Sequence, residues 1–321
     1  MANGVFIGID LGGTRIRAGR FDRSLTMELR VETLTLAEEG PEAVVARMVE
    51  QARAVWPTDG TPVLGIGVSV PGPLNPYTGV VVAPPNLPGW HNVPLQKQLE
   101  AIFKCPVYLG NDANLAALAE SELGAAQGYR DVIYITISTG IGSGVITNGN
   151  LLIGSEGLGA ECGHLIIFTD EDHVSTLEKE TAGPAIARAA RELIERGEPS
   201  TILDMVNNDP KLINAKHVSD AAKSGDRLAI RILSRAGRLL GLGIVSLLHT
   251  FNPQIVVIGG GVAEGTGDII LRPMRWAIEH WSIDSAYWQD LIIAPAALGE
   301  NVCLIGAGAL ATQKFSETVN N

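Results

Sequence analysis

The chain has 321 residues, of which 46% are hydrophobic but only 5% aromatic, enough for aliphatic cores in two lobes. Its 24 basic and 35 acidic residues give a formal net charge of -11, which argues against a nucleic-acid or anionic-membrane surface. Three scattered cysteines, Cys105, Cys162 and Cys303, exclude a disulfide framework and a thiolate metal cluster.

In chain order, residues 7–21 open as an apolar β-branched run, break at Gly12-Gly13 and resume at Ile16, Ala18 and Phe21. This reads as strand, glycine turn, strand. Glycine amides and the Thr14 hydroxyl suit a bound phosphate, and Asp10 at the strand mouth suits magnesium held through water. Taken alone, the stretch reads equally well as an ordinary hairpin. Residues 41–56 have helical spacing, ended by Pro57. A strand over 63–70 runs into the turn-forming stretch 71–76, and a short strand spans 80–82. The proline-rich loop 84–90 is stiffened and carries Asn86 and Trp90, which suits a binding wall. A helix over 95–103 and a strand over 107–109 follow. Asn111 and Asp112 then open a helix that runs through 123, where a strand hands over to a helix and ligands gather in open α/β folds.

The opening is echoed at 132–146: strand, the glycine turn 138–144, strand, with the tight-turn pair Asn148-Gly149 before residues 151–153. This is a weak internal repeat, in architecture rather than sequence. Residues 157–167 contain Glu161 and His164, and residues 169–180 are polar. Helices are expected over 183–196, with breaks over 204–222, and over 227–250. Glycines 237, 241 and 243 in the last of these point to close packing. Strands over 255–258 and 291–293 and a small-residue helix over 305–313 complete the chain. No run is apolar enough to span a bilayer and no leader signature opens the chain, so a cytoplasmic protein is expected.

Glycine turns close three strands, at 12–13, 140–144 and 259–261. With Asp112, this set resembles the sugar kinases of the actin-like ATPase superfamily, and within it the ROK family and its bacterial glucokinases. The matching segments run in family order: Asp-Leu-Gly-Gly-Thr-Arg-Ile-Arg at 10–17, Pro-Gly-Pro-Leu-Asn at 71–75, Pro-Pro-Asn-Leu-Pro-Gly-Trp at 84–90 and Asn-Asp-Ala-Asn at 111–114. Ser-Thr-Gly-Ile-Gly-Ser-Gly at 138–144, Glu-Cys-Gly-His at 161–164, Gly-Gly-Gly-Val at 259–262 and Ala-Leu-Gly-Glu at 297–300 follow. The resemblance implies a two-lobed α/β fold of the actin-like, ribonuclease H-like kind with an interlobe cleft. It places residues 1–110 in a small lobe, 111–304 in a large lobe, and the helix from 305 to 321 back on the small one.

The resemblance implies ATP- and magnesium-dependent phosphorylation of a hexose at its 6-hydroxyl, glucose first. Other family kinases act on N-acetylmannosamine, fructose, allose or mannose, and some use polyphosphate as donor. It makes Asp112 the catalytic base, where the alternative reading is a helix cap. Asn86, Asn111, Glu161, His164 and Glu178 match sugar contacts. Gly12, Gly13, Thr14, Thr139 and Gly140 match phosphate turns, Gly260 and Gly261 the turn under adenosine, and Asp10 the acid near magnesium. Arg15 and Arg17 receive no role, and Trp90 reads as wall or core. The family's cysteine-rich zinc motif is missing after His164, so no zinc site is expected and residues 169–177 are expected as a metal-free loop or helix start. Read as a strand, the segment puts Cys162 and His164 on one face. The family's sugar-responsive repressors carry a winged helix-turn-helix ahead of the first glycine turn. With Asp10 near the start of this chain and an acidic charge, the kinase is the expected member. Family kinases are often homodimers or homotetramers, and the same is expected here.

Overall fold

The computed structural model describes residues 4–169 and 174–320. The first apolar run is β1 (Val5–Leu11), buried along its whole length. It is followed by β2 (Arg15–Phe21), β3 (Met27–Leu34), α1 (Pro41–Ala54), β4 (Val63–Val70), a small ribbon of β5 (Leu74–Asn75) and β6 (Val80–Val81), α2 (Leu95–Phe103), β7 (Val107–Asn111) and α3 (Asp112–Leu123). The sheet order is β3-β2-β1-β4-β7, antiparallel on the β2 and β3 side of β1 and parallel on the other.

The second half runs β8 (Val132–Ile137), β9 (Ile141–Thr147), β10 (Asn150–Leu151), a ribbon of β11 (Ile166–Thr169) and β12 (Val174–Thr176), α4 (Leu177–Thr181), α5 (Gly183–Glu195), α6 (Ile202–Met205), α7 (Ala215–Lys223), α8 (Arg227–Phe251), β13 (Ile255–Gly259), α9 (Gly261–Thr266), α10 (Asp268–Trp281), β14 (Ile292–Pro295) and α11 (Val302–Asn320). Its sheet order, β10-β9-β8-β13-β14, repeats the topology of the first, again with a hairpin side and a parallel side. The echo of glycine turns is therefore a repeat of the whole sheet. Each half has its own aliphatic core, and together they make a two-lobed α/β fold.

Several expectations change. β3 carries no predicted strand: its charged, half-exposed residues lie at a sheet edge, so no apolar alternation marks it. α10 also goes unpredicted; it lies along α8, where Gly237 and Gly241 let the two helices meet closely, as those glycines suggested. The expected loop or helix start over 169–177 is instead the end of β11, then β12 and the start of α4 in its described parts. His173 and the acids at 170–172 lie outside the described residues. The Glu-Cys-Gly-His segment is not a strand: Cys162–His164 is a single 3-10 turn, with Cys162 buried and His164 exposed. The two side chains therefore do not share a face. No helix among the described residues is long and apolar enough to cross a membrane.

Helix α11 lies on the first sheet, over β1 and β4, and also against α3, which packs mainly on β8 and β9 of the second sheet and touches β7 and β4 of the first. These two helices join the halves. They approach so closely that a side-chain carbon on Gly67 of β4 would overlap the Ala307 carbonyl, and one on Gly306 the Leu115 carbonyl. Backbone on both sides leaves little room to yield. Gly67→Ala is expected to cost about 1–3 kcal/mol, since overpacking of a tight core costs that much. Urea unfolding measures it, and an unchanged midpoint would show that α11 is not seated on β4 this closely.

Candidate active site

Asp112 is the first residue of α3, where β7 ends. The cap, however, is Asn111, whose Oδ1 accepts from the Ala113 and Asn114 amides at 3.0 and 3.4 Å. Asp112 adds one bond from Ala113 N–H at 2.8 Å. Burial, then the charges of Asp10 and Glu161, lift its pKa to about 6. The helix-cap alternative thus belongs to its neighbour, and Asp112 is a carboxylate of raised basicity, still ionised at neutral pH.

Asp10 approaches from the first sheet. It is buried, which raises its pKa, against the opposing pull of Arg17 and of the Ser69 hydroxyl. Arg17 Nη1 lies 3.0 Å from Asp10 Oδ2. Arg17 also faces Glu32 at 3.6 Å and Glu300 at 3.7 Å. It is no solvated hairpin charge, and reading the motif without a role for it missed this. The signal was present: counting back from the glycine turn puts Arg17 directly opposite Asp10 in the hairpin. Below both acids lies Cys303, whose thiol donates to the Asp112 carbonyl at 3.6 Å. Burial and the two carboxylates push that thiol far up, so it stays protonated and inert. Nothing local in the sequence connects it to Asp112, 191 positions away.

Glu161 precedes the 3-10 turn that ends in His164, and both are exposed. Glu161 is near enough to Asp112 for its charge to act there. Glu178, in α4, has Oε2 accepting the Ile141 amide at 2.8 Å, so it braces the second glycine turn with one oxygen. Asn86 packs on Gly13 of the first turn, with 3.1 Å between its Cβ and an ideal Cβ on that glycine. Asn86 is exposed, whereas Leu87 and Trp90 of the same loop are buried, so Trp90 belongs to the core. Around the first turn, Gly12 N–H bonds the Arg15 carbonyl at 2.9 Å and buried Thr35 bonds the Gly12 carbonyl at 2.7 Å; Thr14 is exposed.

Thr139 lies on the wall of a cleft of about 720 Å³. The cleft is bounded by the 138–139 turn, by Gly183 and Pro184 opening α5, by Asn214 and Lys216 at α7, and by Gly261 at α9. Gly140 sits behind the turn against Glu178, at 2.6 Å for an added Cβ. Gly260 has φ +91°, and an added Cβ would stand 2.5 Å from the Ile137 carbonyl. An L side chain is therefore excluded there on two counts. Gly261 faces open space. The α5 and α7 walls were not read from sequence as part of a site, although Gly183-Pro184 is a recognisable helix start. Gly12, Gly13 and Thr14 do not line this cleft.

The arrangement offers a basic carboxylate, a second buried carboxylate beside it, polar side chains suited to a polyol, and a cleft with glycine backbone on its walls. That combination fits transfer of a phosphoryl group to a hydroxyl.

The chain is similar over nearly its whole length to known proteins. The model of the ROK family matches residues 6–314. The glucokinase of Thermotoga maritima is 34% identical over 314 residues, 96% of this chain and 98% of that protein. The ROK family glucokinase from Streptomyces griseus, solved with glucose and AMPPNP, superposes with a TM-score of 0.79 at 30% identity, over 97% of this chain and 100% of that one. A ROK family transcriptional regulator, homologous to the Escherichia coli MLC protein, superposes with a TM-score of 0.85 at 25% identity, over 98% of this chain and 78% of the regulator. The chain belongs to the ROK family.

Proposed function

We propose that this protein is a glucokinase, which transfers the γ-phosphoryl group of ATP to the 6-hydroxyl of glucose. The observation that carries the reading is Asp112, a carboxylate with pKa about 6 at a strand-to-helix corner, next to two further acids and relieved of helix capping by Asn111. Its kinase relatives match nearly end to end.

In this reading Asp112 accepts the proton of the 6-hydroxyl as that oxygen attacks phosphorus. Glu161, His164, Glu178 and Asn86 bind the other hydroxyls, and Asn111 contributes its amide nitrogen, since its carbonyl oxygen caps α3. Gly12, Gly13 and Thr14, with Thr139 and Gly140, hold the phosphates; Gly260 and Gly261 lie under adenosine. Asp10 fits magnesium by the chemistry of its donors: a buried carboxylate, held by Arg17 through Oδ2, is a hard oxygen ligand for the cation or its water. Bound there, magnesium would neutralise phosphate charge. The lobes comprise residues 1–110 with the C-terminal helix, and 111–304. We assign the protein to the cytoplasm, as a homodimer or homotetramer, which light scattering checks.

A coupled ADP-release assay across glucose, mannose, fructose, allose and N-acetylmannosamine tests the activity. The same panel with polyphosphate replacing ATP tests the donor. Absence of turnover on every hexose with either donor would overturn the kinase reading in favour of a sugar-responsive regulator of the same fold. Glucose is also expected to close the cleft between the two lobes, because water beside the γ-phosphate must be excluded or ATP is hydrolysed. X-ray scattering should show a smaller radius of gyration with glucose than without; identical profiles would sink the closure.

A further inference from the structure

The second strand of the large lobe, β9, stands between the two halves of the proposed sugar site. Its residues alternate in direction, as a strand requires. Gly142 and Gly144 face α3: an added Cβ would lie 3.0 Å from the Ala113 Cβ and 2.6 Å from the Ala117 Cβ, respectively. That side seats the helix that begins with Asp112. Ile141 and Ser143 serve the other side. Ile141 N–H binds Glu178, and the Ile141 carbonyl is so close to Gly163 that no side chain fits there.

Ser143 is 5% exposed and its bonds are specific. Its hydroxyl donates to the Ala160 carbonyl at 2.5 Å and accepts from Cys162 N–H at 2.9 Å. These are the backbone groups immediately before and after Glu161. The Cys162 thiol lies against the same oxygen. The hydroxyl's proton and one of its lone pairs are therefore engaged by the backbone on either side of Glu161. Ala160 is held in the left-handed region, at φ +65°, a conformation that needs support from its surroundings.

We infer that Ser143 is the positioning residue of the sugar-contact turn: it fixes the Glu161 backbone from both sides and so sets the distance of Glu161 and His164 from Asp112. The inference rests on the reading of that turn as a sugar contact. Ser143 itself touches no substrate. A merely structural serine would, on removal, weaken both ligands or neither.

The test is calorimetry of glucose and, separately, of AMPPNP. Ser143→Ala should weaken glucose binding about 10- to 100-fold, as expected when a buried carbonyl and amide lose their partner. AMPPNP affinity should stay at the parent value. Ser143→Cys is the nearest replacement in shape but a poor acceptor, and it should lose glucose affinity too, with a melting curve checking that the fold is kept. Ser143→Thr keeps the hydroxyl and should retain most of it. Parent-like glucose affinity in the alanine and cysteine variants, or equal loss of both ligands, would overturn the inference. Glu161→Gln separates the two levels. If it loses glucose while Ser143→Ala does not, only the role of Ser143 falls; if it binds glucose normally, the turn is no sugar contact and both readings fall.

Discussion

Asp112→Asn is expected to lower kcat by ~10²–10⁴-fold, the usual contribution of a general base. The amide keeps the shape but cannot take the hydroxyl proton. Two further readouts separate this role from capping. In the parent, kcat/KM should fall about tenfold per pH unit below pH about 6, where Asp112 becomes protonated in the free enzyme, and the variant's residual rate should lack that limb. Stability should move the other way. The folded pKa lies above the unfolded one, so the stabilisation linked to Asp112 is full below the unfolded pKa of 3.8 and is lost as pH rises through about 6. At pH 7.5 the parent therefore carries an unfavourable buried charge that asparagine lacks. With Asn111 still capping α3, the variant should melt at the same temperature or higher. A lower Tm with near-parental kcat would return Asp112 to a structural role.

Glu120→Ala is expected to be the most destabilising single change considered. Glu120 is fully buried in the last turns of α3, and its carboxylate accepts three backbone amides: Ala125 at 2.7 Å through Oε2, and Ala297 and Leu298 at 2.9 and 3.0 Å through Oε1. The last two belong to the link between β14 and α11, so one side chain ties the end of α3 to the entry of the C-terminal helix. Alanine leaves three donors without a partner and opens a cavity, which together cost roughly 3–5 kcal/mol. At about 2–4 °C per kcal/mol in domains of 150–250 residues, Tm should fall by roughly 10 °C. Glu120→Gln keeps the volume and one acceptor oxygen and should lose about half as much. Denaturant titration of both variants is the measurement; a loss below about 1 kcal/mol for alanine would mean that water takes over the carboxylate's bonds.

Both residues were visible in the sequence, but only one as a candidate. Asp112 stands in a four-residue motif at a strand-to-helix junction, a local pattern. Glu120 looks like any acid in an alanine-rich helix, because two of its three partners lie 177 and 178 positions away. The same distinction runs through the fold. β1, β4, β8 and β13 were legible as buried runs of branched residues, since a strand covered on both faces needs apolar side chains throughout. β3 was not, because an edge strand has no such need. The turn at 161–164 was read as a strand option and is a 3-10 turn, because Gly163 must seat on the Ile141 carbonyl and Ser143 must hold the backbone around Glu161.

By itself, the sequence determined the α/β class, the glycine turns at strand ends, the order of the motifs and hence the family, since each rests on periodicity or on a glycine within a few residues. Even the Asp10–Arg17 pair was within reach, because a hairpin's register follows from its turn. Tertiary structure alone decided which groups share a site: that Cys303 and Ser69 lie beside the two acids, that Asn86 covers Gly13, and that the glycines of β9 leave room for the helix of Asp112 on one side while Ser143 fastens the turn of Glu161 on the other. These are contacts between elements far apart in the chain. Their distances are set by how two sheets and two crossing helices pack, which no local run of side chains encodes.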